Sequence, residues 1–122
     1  MKKNSLGQEL VLEKIADLYQ GIALYKVHIE RCREQDKNAH VMDKATFGQL
    51  TANIQKDNRL ESLPLGYVKE NPSGNSEFYI ISGHHRIRAA RVANVQILYV
   101  LVIEEDLSND EIVSKQLAHN SL

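Results

Sequence analysis

The sequence predicts an α/β (α+β) domain, a small mixed β-sheet of about four strands flanked by helices. Three features lead there. Apolar residues change period along the chain, from the helical spacing of Val11, Ile15, Leu18 and Ile22 to the alternation of Tyr25, Val27 and Ile29. The turn-rich cluster Asn71-Pro72-Ser73-Gly74-Asn75-Ser76 separates two short apolar runs, as in a hairpin. The stretch from Phe78 to Val92, FYIISGHHRIRAARV, passes at Ser82-Gly83 from a strand-like run to a cation-rich, helix-compatible one.

In chain order, Gln8 to Gln20 reads as a helix, with Gly21 where a left-handed C-terminal residue would sit. Residues 1–24 are thus expected to form a helical extension to a domain covering residues 25–122. Tyr25 to Glu30 reads as a half-buried strand with His28 on its solvent face. The polar, non-periodic segment 31–41 reads as a loop. Asp43 can cap a helix running to about Asp57, with Phe47, Leu50 and Ile54 inward; a Thr46…Gln49 capping box would start it three residues later. Leu65 to Glu70 and Glu77 to Ser82 are the hairpin strands, and the cationic helix ends near Asn94. Gln96 to Ile103, QILYVLVI, has the continuous apolar character of a strand covered on both faces.

Glu104 to Asp106 is a solvated acidic turn. Ser108…Glu111 then forms a capping box that opens a last helix with Ile112, Val113 and Leu117 inward. That helix reaches Leu122 without Gly, Pro or a basic last turn, so the chain is expected to be a domain cut from a longer protein. Truncation would leave Leu117 and Leu122 uncovered, a basis for a homodimer.

Length and composition narrow the functional classes. A chain of 122 residues with 43% hydrophobic and 25% charged residues is expected to be one globular domain. No apolar run approaches the ~20 residues needed to span a bilayer, and MKKNSLGQEL lacks the apolar core of a secretory signal. The lone Cys32 excludes an internal disulfide, fits a reducing cytoplasm, and reads as a small buried hydrophobe. With 15 basic and 16 acidic residues the net charge is −1, which argues against the broad basic face of a duplex binder.

The cations are instead concentrated at the junction after Ser82. A helix beginning at Gly83 presents its first N–H groups without intrahelical partners, at the positive end of the helix dipole. Glycine lets a ligand approach the backbone, and Arg86 and Arg88 supply forked donors suited to phosphate or carboxylate. From Phe78 through Ile103 there is no Asp or Glu to neutralise them. Ser82, Gly83, His84, His85, Arg86 and Arg88 are therefore the candidate phosphate-binding residues. Neither GxxxxGK[ST] nor GxGxxG occurs in the chain.

The sequence SGHHRIRAARVANV, Ser82 to Val95, resembles the second box of the ParB family's N-terminal domain, within the ParB/sulfiredoxin superfamily. Leu50 to Ile54 and Leu63-Pro64-Leu65 resemble neighbouring family segments, and Ala118-His119-Asn120 falls where the family carries the Glu-Asn of its third box. The resemblance covers about Tyr25 to Leu122 and includes relatives encoded by phages and mobile elements. It implies a nucleoside triphosphate, CTP or ATP, with Mg²⁺, phosphate contacts around Gly83, and Asn120 as a metal-side ligand.

It also implies a cytoplasmic, DNA-associated protein of the partition or transcription-regulator type, meeting DNA through a missing C-terminal region or a partner protein. The departures are specific. His84 and His85 replace the Glu and first Arg of the family's GERR, His119 replaces the third-box Glu, and the first box is reduced to Lys37-Asn38-Ala39-His40.

The rival reading is an enzyme of the same superfamily, an NTP hydrolase, kinase or nuclease, for which Glu34 and Asp36 are the available bases. Sulfiredoxin chemistry is excluded, because His84 stands where that branch has its nucleophilic cysteine. His84 and His85 diverge on a helix and would need His40 or His119 to complete a zinc site.

Overall fold

The computed structural model describes residues 10–35, 42–105 and 108–120, with side chains described up to residue 118. One mixed sheet contains β1 (Leu12–Tyr19), β2 (Ile22–His28), β3 (Cys32–Arg33), β4 (Leu65–Glu70), β5 (Ser76–Ser82) and β6 (Ile97–Ile103). The helices are α1 (Lys44–Asp57), α2 (His84–Val92) and α3 (Asn109–Asn120). Across the sheet the order is β1-β2-β6-β4-β5-β3. The β4–β6 and β3–β5 pairs are parallel and the others antiparallel. The α/β class expected from sequence holds, with six strands rather than four.

The N-terminal segment is a strand, not the helix expected over residues 8–20, and belongs to the same sheet. The register of β1 against β2 shifts between Lys14 and Ala16 and again between Asp17 and Tyr19. Each shift inserts an extra residue and moves the apolar side chains off strict alternation, so Ile15 and Leu18 fall at helix-like spacing. Gly21, with φ of 78°, makes the tight turn into β2. A hairpin turn and a helix C-terminus both call for a left-handed glycine, so this residue could not discriminate between them.

Helices α1 and α2 cover one face of the sheet. Val27, Phe78, Ile80, Val100 and Val102 meet Ile54 of α1 and Ile87, Ala89 and Ala90 of α2 in one buried cluster. Burying each large aliphatic or aromatic side chain contributes about 1.5–3 kcal/mol. The alanines keep α2 thin on its inner side. Beneath it, a Cβ on Gly66 would collide with the Tyr79 carbonyl and the Phe78 ring.

The other face carries α3 against β5, with Gln116 buried. Val113 and Leu117, expected inward, are 45% and 52% exposed, because it is the Ile112 and Gln116 side of α3 that turns to the sheet. Coverage stops short of the start of β6, where Ile97 and Tyr99 are 38% and 47% exposed, so this strand is not enclosed on both faces as expected.

The helix caps follow side-chain chemistry. Asp43 is the N-cap of α1: its carboxylate accepts from Thr46 N at 2.8 Å and from the Thr46 hydroxyl at 2.9 Å. Asn58, left-handed at φ 54°, closes that helix. Ser108 and Glu111 form the reciprocal box expected of α3, at 3.0 and 3.2 Å. His28, expected on a solvent face, is buried. Its Nδ1 accepts from Glu30 N at 3.1 Å and caps the 3₁₀ turn Ile29–Arg31, which carries the chain into β3. No helix among the described residues is long and apolar enough to cross a membrane.

Candidate functional site

β5 leaves the sheet at Ser82, and Gly83 turns the chain into α2 with φ 104° and ψ 20°. Gly83 is the helix N-cap and supplies no side-chain hydrogen bond, so the first amides of α2 are left to other acceptors. The reason for glycine differs from the one read in the sequence. Its φ lies where side chains are strained, and a Cβ would stand 3.0 Å from Pro64, so the side of Gly83 without a Cβ faces Pro64 rather than a ligand. The turn is thereby fastened to the start of β4.

The six candidate residues divide by exposure. His84 is 2% exposed, so its ring packs inside and only its amide belongs to the turn. His85, one residue on, is half-buried, the divergence expected of helical neighbours. Ser82 and Arg86 are also half-buried. Arg86 lines a cavity of about 230 Å³ between α1 and α2, together with Asn53, Asp57, Arg59, Glu61 and Ser62. It makes no ion pair with a described residue.

Arg88 is placed differently. Its Nε donates to Glu34 Oε1 at 2.6 Å, and Arg91 Nη1 lies 3.9 Å from Glu34 Oε2. Arg91 Nη2 also donates to the Cys32 carbonyl at 2.8 Å. The expectation that nothing neutralises these cations is therefore corrected: the acid-free stretch in sequence is met by a carboxylate from another part of the chain. The cause is topological. β3 runs parallel to β5, with Cys32 opposite Phe78 and Arg33 opposite Tyr79, so Glu34 emerges at the same end of the sheet as Ser82 and Gly83.

Glu34, a candidate base, is thus engaged by Arg88. Asp36, the other, lies outside the described residues, as do Lys37, Asn38, Ala39 and His40. The side chains of His119 and Asn120 also lie outside them, although Asn120 is the last residue of α3. Among the described residues no group of three His, Cys, Asp or Glu could hold a metal ion. Cys32 is fully buried and its thiol is pushed up to about 12 by desolvation, which leaves it un-ionised near neutrality.

Some of the constellation escaped sequence reading. Pro64, the wall behind Gly83, was visible only as part of Leu63-Pro64-Leu65. Tyr67 and Tyr79 stack with centroids 5.4 Å apart, and the Tyr67 hydroxyl donates to Gln35 Oε1 at 2.7 Å, holding the residue beside Glu34. No local motif announces these contacts, since they follow from β4–β5 pairing and from β3 lying beside β5.

No family model matches the chain, and no curated protein matches it. Solved structures do. The C-terminally truncated chromosome-partitioning protein ParB from Caulobacter crescentus complexed with CTP-gamma-S matches with a TM-score of 0.61 and 19% identity, over 80% of this chain and 52% of that one. The same protein complexed to the centromeric parS site matches with a TM-score of 0.54 and 20% identity, over 78% and 46% of the two chains. The chain spans about half the length of those it matches. It has the ParB-type fold that the box around Gly83 led one to expect.

Proposed function

We propose that this ParB-type domain is a nucleotide-binding module of a DNA-associated protein, of the partition or transcription-regulator kind, and that it holds the triphosphate of a nucleoside triphosphate at the Gly83 turn. One observation carries the reading. At the end of β5, a left-handed glycine opens a helix whose first amides receive no cap from Gly83, with Ser82, His85 and Arg86 half-buried around it. Amides at a helix N-terminus, backed by the helix dipole, suit phosphate oxygens. The CTP-gamma-S complex of the structural neighbour supports this choice of ligand.

The donor set fits a polyphosphate: amides of the turn, the Ser82 hydroxyl, the His85 ring and the Arg86 guanidinium. Mg²⁺ would arrive on the phosphates, because it keeps several waters and needs few protein oxygens. Asn120 is proposed on its side of the site. Contact with DNA is assigned to a region beyond this domain or to a partner protein, since the domain's net charge is −1.

Calorimetric titration with CTP, ATP and GTP, each with Mg²⁺, tests the reading. Saturable heat with at least one triphosphate is expected. No heat with any of them, at protein concentrations approaching millimolar, contradicts it.

A further inference from the structure

We infer that Glu34 is an internal counter-ion of the phosphate site, displaced from Arg88 by a polyphosphate but not by a single phosphate group. This rests on the proposed phosphate site at Gly83 and adds which anions disturb the pair.

Arg88 lies one turn along α2 from His84, and side chains on a helix lean toward its N-terminus, so its guanidinium belongs to the end of the helix that faces an anion. In the structure that guanidinium is held by Glu34, with Nε 2.6 Å from Oε1. The same carboxylate stands 3.9 Å from Arg91 Nη1. The carboxylate already provides what a phosphate would provide, an anionic oxygen for the forked donor.

The pair is built to be displaced. Its side chains are 44% and 31% exposed, and ion pairs so open to water contribute little to stability. Glu34 follows a strand of only two residues and Tyr67 holds its neighbour Gln35, so the exchange needs only the Glu34 side chain to swing away. Arg91 has a second partner in the Cys32 carbonyl, 2.8 Å from its Nη2, which leaves Arg88 as the group that can exchange partners.

A single phosphate can rest on the turn amides and leave the Arg88–Glu34 pair intact, because taking Arg88 only exchanges one anionic partner for another. A triphosphate differs. Two of its phosphates can stay on the Gly83 amides and His85 while the third competes for Arg88, so the exchange becomes intramolecular. Glu34 therefore penalises long anions, which must break its pair with Arg88, more than short ones, which need not.

The test compares orthophosphate and tripolyphosphate binding to the unaltered chain, to Glu34→Gln, to Arg88→Ala and to the double variant, at one ionic strength. Thermal unfolding run in parallel establishes that each variant is folded. Tripolyphosphate is expected to bind the unaltered chain, and Glu34→Gln to bind it about five-fold tighter, the scale of one exposed ion pair. The gain is expected to be smaller for orthophosphate and to vanish in the Arg88→Ala background. If Glu34→Gln binds tripolyphosphate equally well or more weakly, the inference is overturned and Glu34 merely positions Arg88. If neither the unaltered chain nor Glu34→Gln binds either anion, the phosphate site itself is wrong, and the inference falls with it.

Discussion

A Cβ added to Gly83 would stand 3.0 Å from both Cα and Cβ of Pro64, while Gly83 itself holds φ at 104°. Pro64 is fixed in turn, because its carbonyl accepts from Leu101 N at 2.8 Å. The N-terminus of α2 is thereby set against the start of β4 and the middle of β6. Gly83→Ala is expected to lower stability by about 1–3 kcal/mol, the scale of a strained backbone conformation, before the contact with Pro64 is added. Urea unfolding monitored by circular dichroism measures it. A variant as stable as the parent would mean that the turn is not fixed as described.

Arg86 should matter to phosphate binding and Lys26 should not. Arg86 lines the cavity between α1 and α2, whereas Lys26 lines a different groove with Asn94 and Tyr99. Losing one charge-assisted hydrogen bond costs about 1.5–3 kcal/mol. Arg86→Ala is therefore expected to weaken triphosphate binding by about ten-fold or more, and Lys26→Ala to leave it within two-fold. Calorimetry on both variants decides this, and equal losses in the two would reduce the site to general charge attraction.

Cys32 should be inert while the chain is folded. Desolvation raises its thiol to about 12 from a usual 9.0, and its side chain is fully buried. Since the folded form favours the neutral thiol, the associated stability is complete below pH 9.0 and is lost as pH rises toward 12. A thiol reagent at pH 8 is expected to label the chain only at the rate of unfolding, and fully in denaturant. Rapid labelling of native protein would contradict the burial of Cys32.

Asp43 predicts acid sensitivity at the start of α1. Hydrogen bonds from the Thr46 amide and hydroxyl hold its carboxyl below the ordinary value of 3.8. The stabilisation is therefore present above that value and is lost as pH falls through the lowered folded-state value. Asp43→Asn retains the cap but not the ionisation, so its stability should change less between neutrality and acid than the parent's. An unchanged pH profile in Asp43→Asn would show that the cap does not titrate with folding.

What could be read in the sequence was whatever depends on neighbours along the chain. The Ser108…Glu111 box, the Asp43 cap, the hairpin around Asn71 to Ser76 and the strand–Gly–helix junction are local, and the structure contains each of them. β1 is not legible in this way, because its two register shifts disguise alternation as helical spacing. The pairing of Glu34 with Arg88 spans 54 residues and depends on β3 lying parallel to β5, a contact made by a strand of two residues with no periodicity of its own. The burial of His28 likewise follows from its cap on a 3₁₀ turn that no composition rule marks.

The central claim is that a polyphosphate settles on the amides that open α2. Backbone amide NMR shifts followed during titration with tripolyphosphate, and then with CTP and Mg²⁺, test it most directly. The account predicts saturable shifts concentrated at Gly83, His84, His85 and Arg86, with the same residues moved by both ligands. Shifts confined to residues away from this turn, or none at saturating ligand, would contradict it.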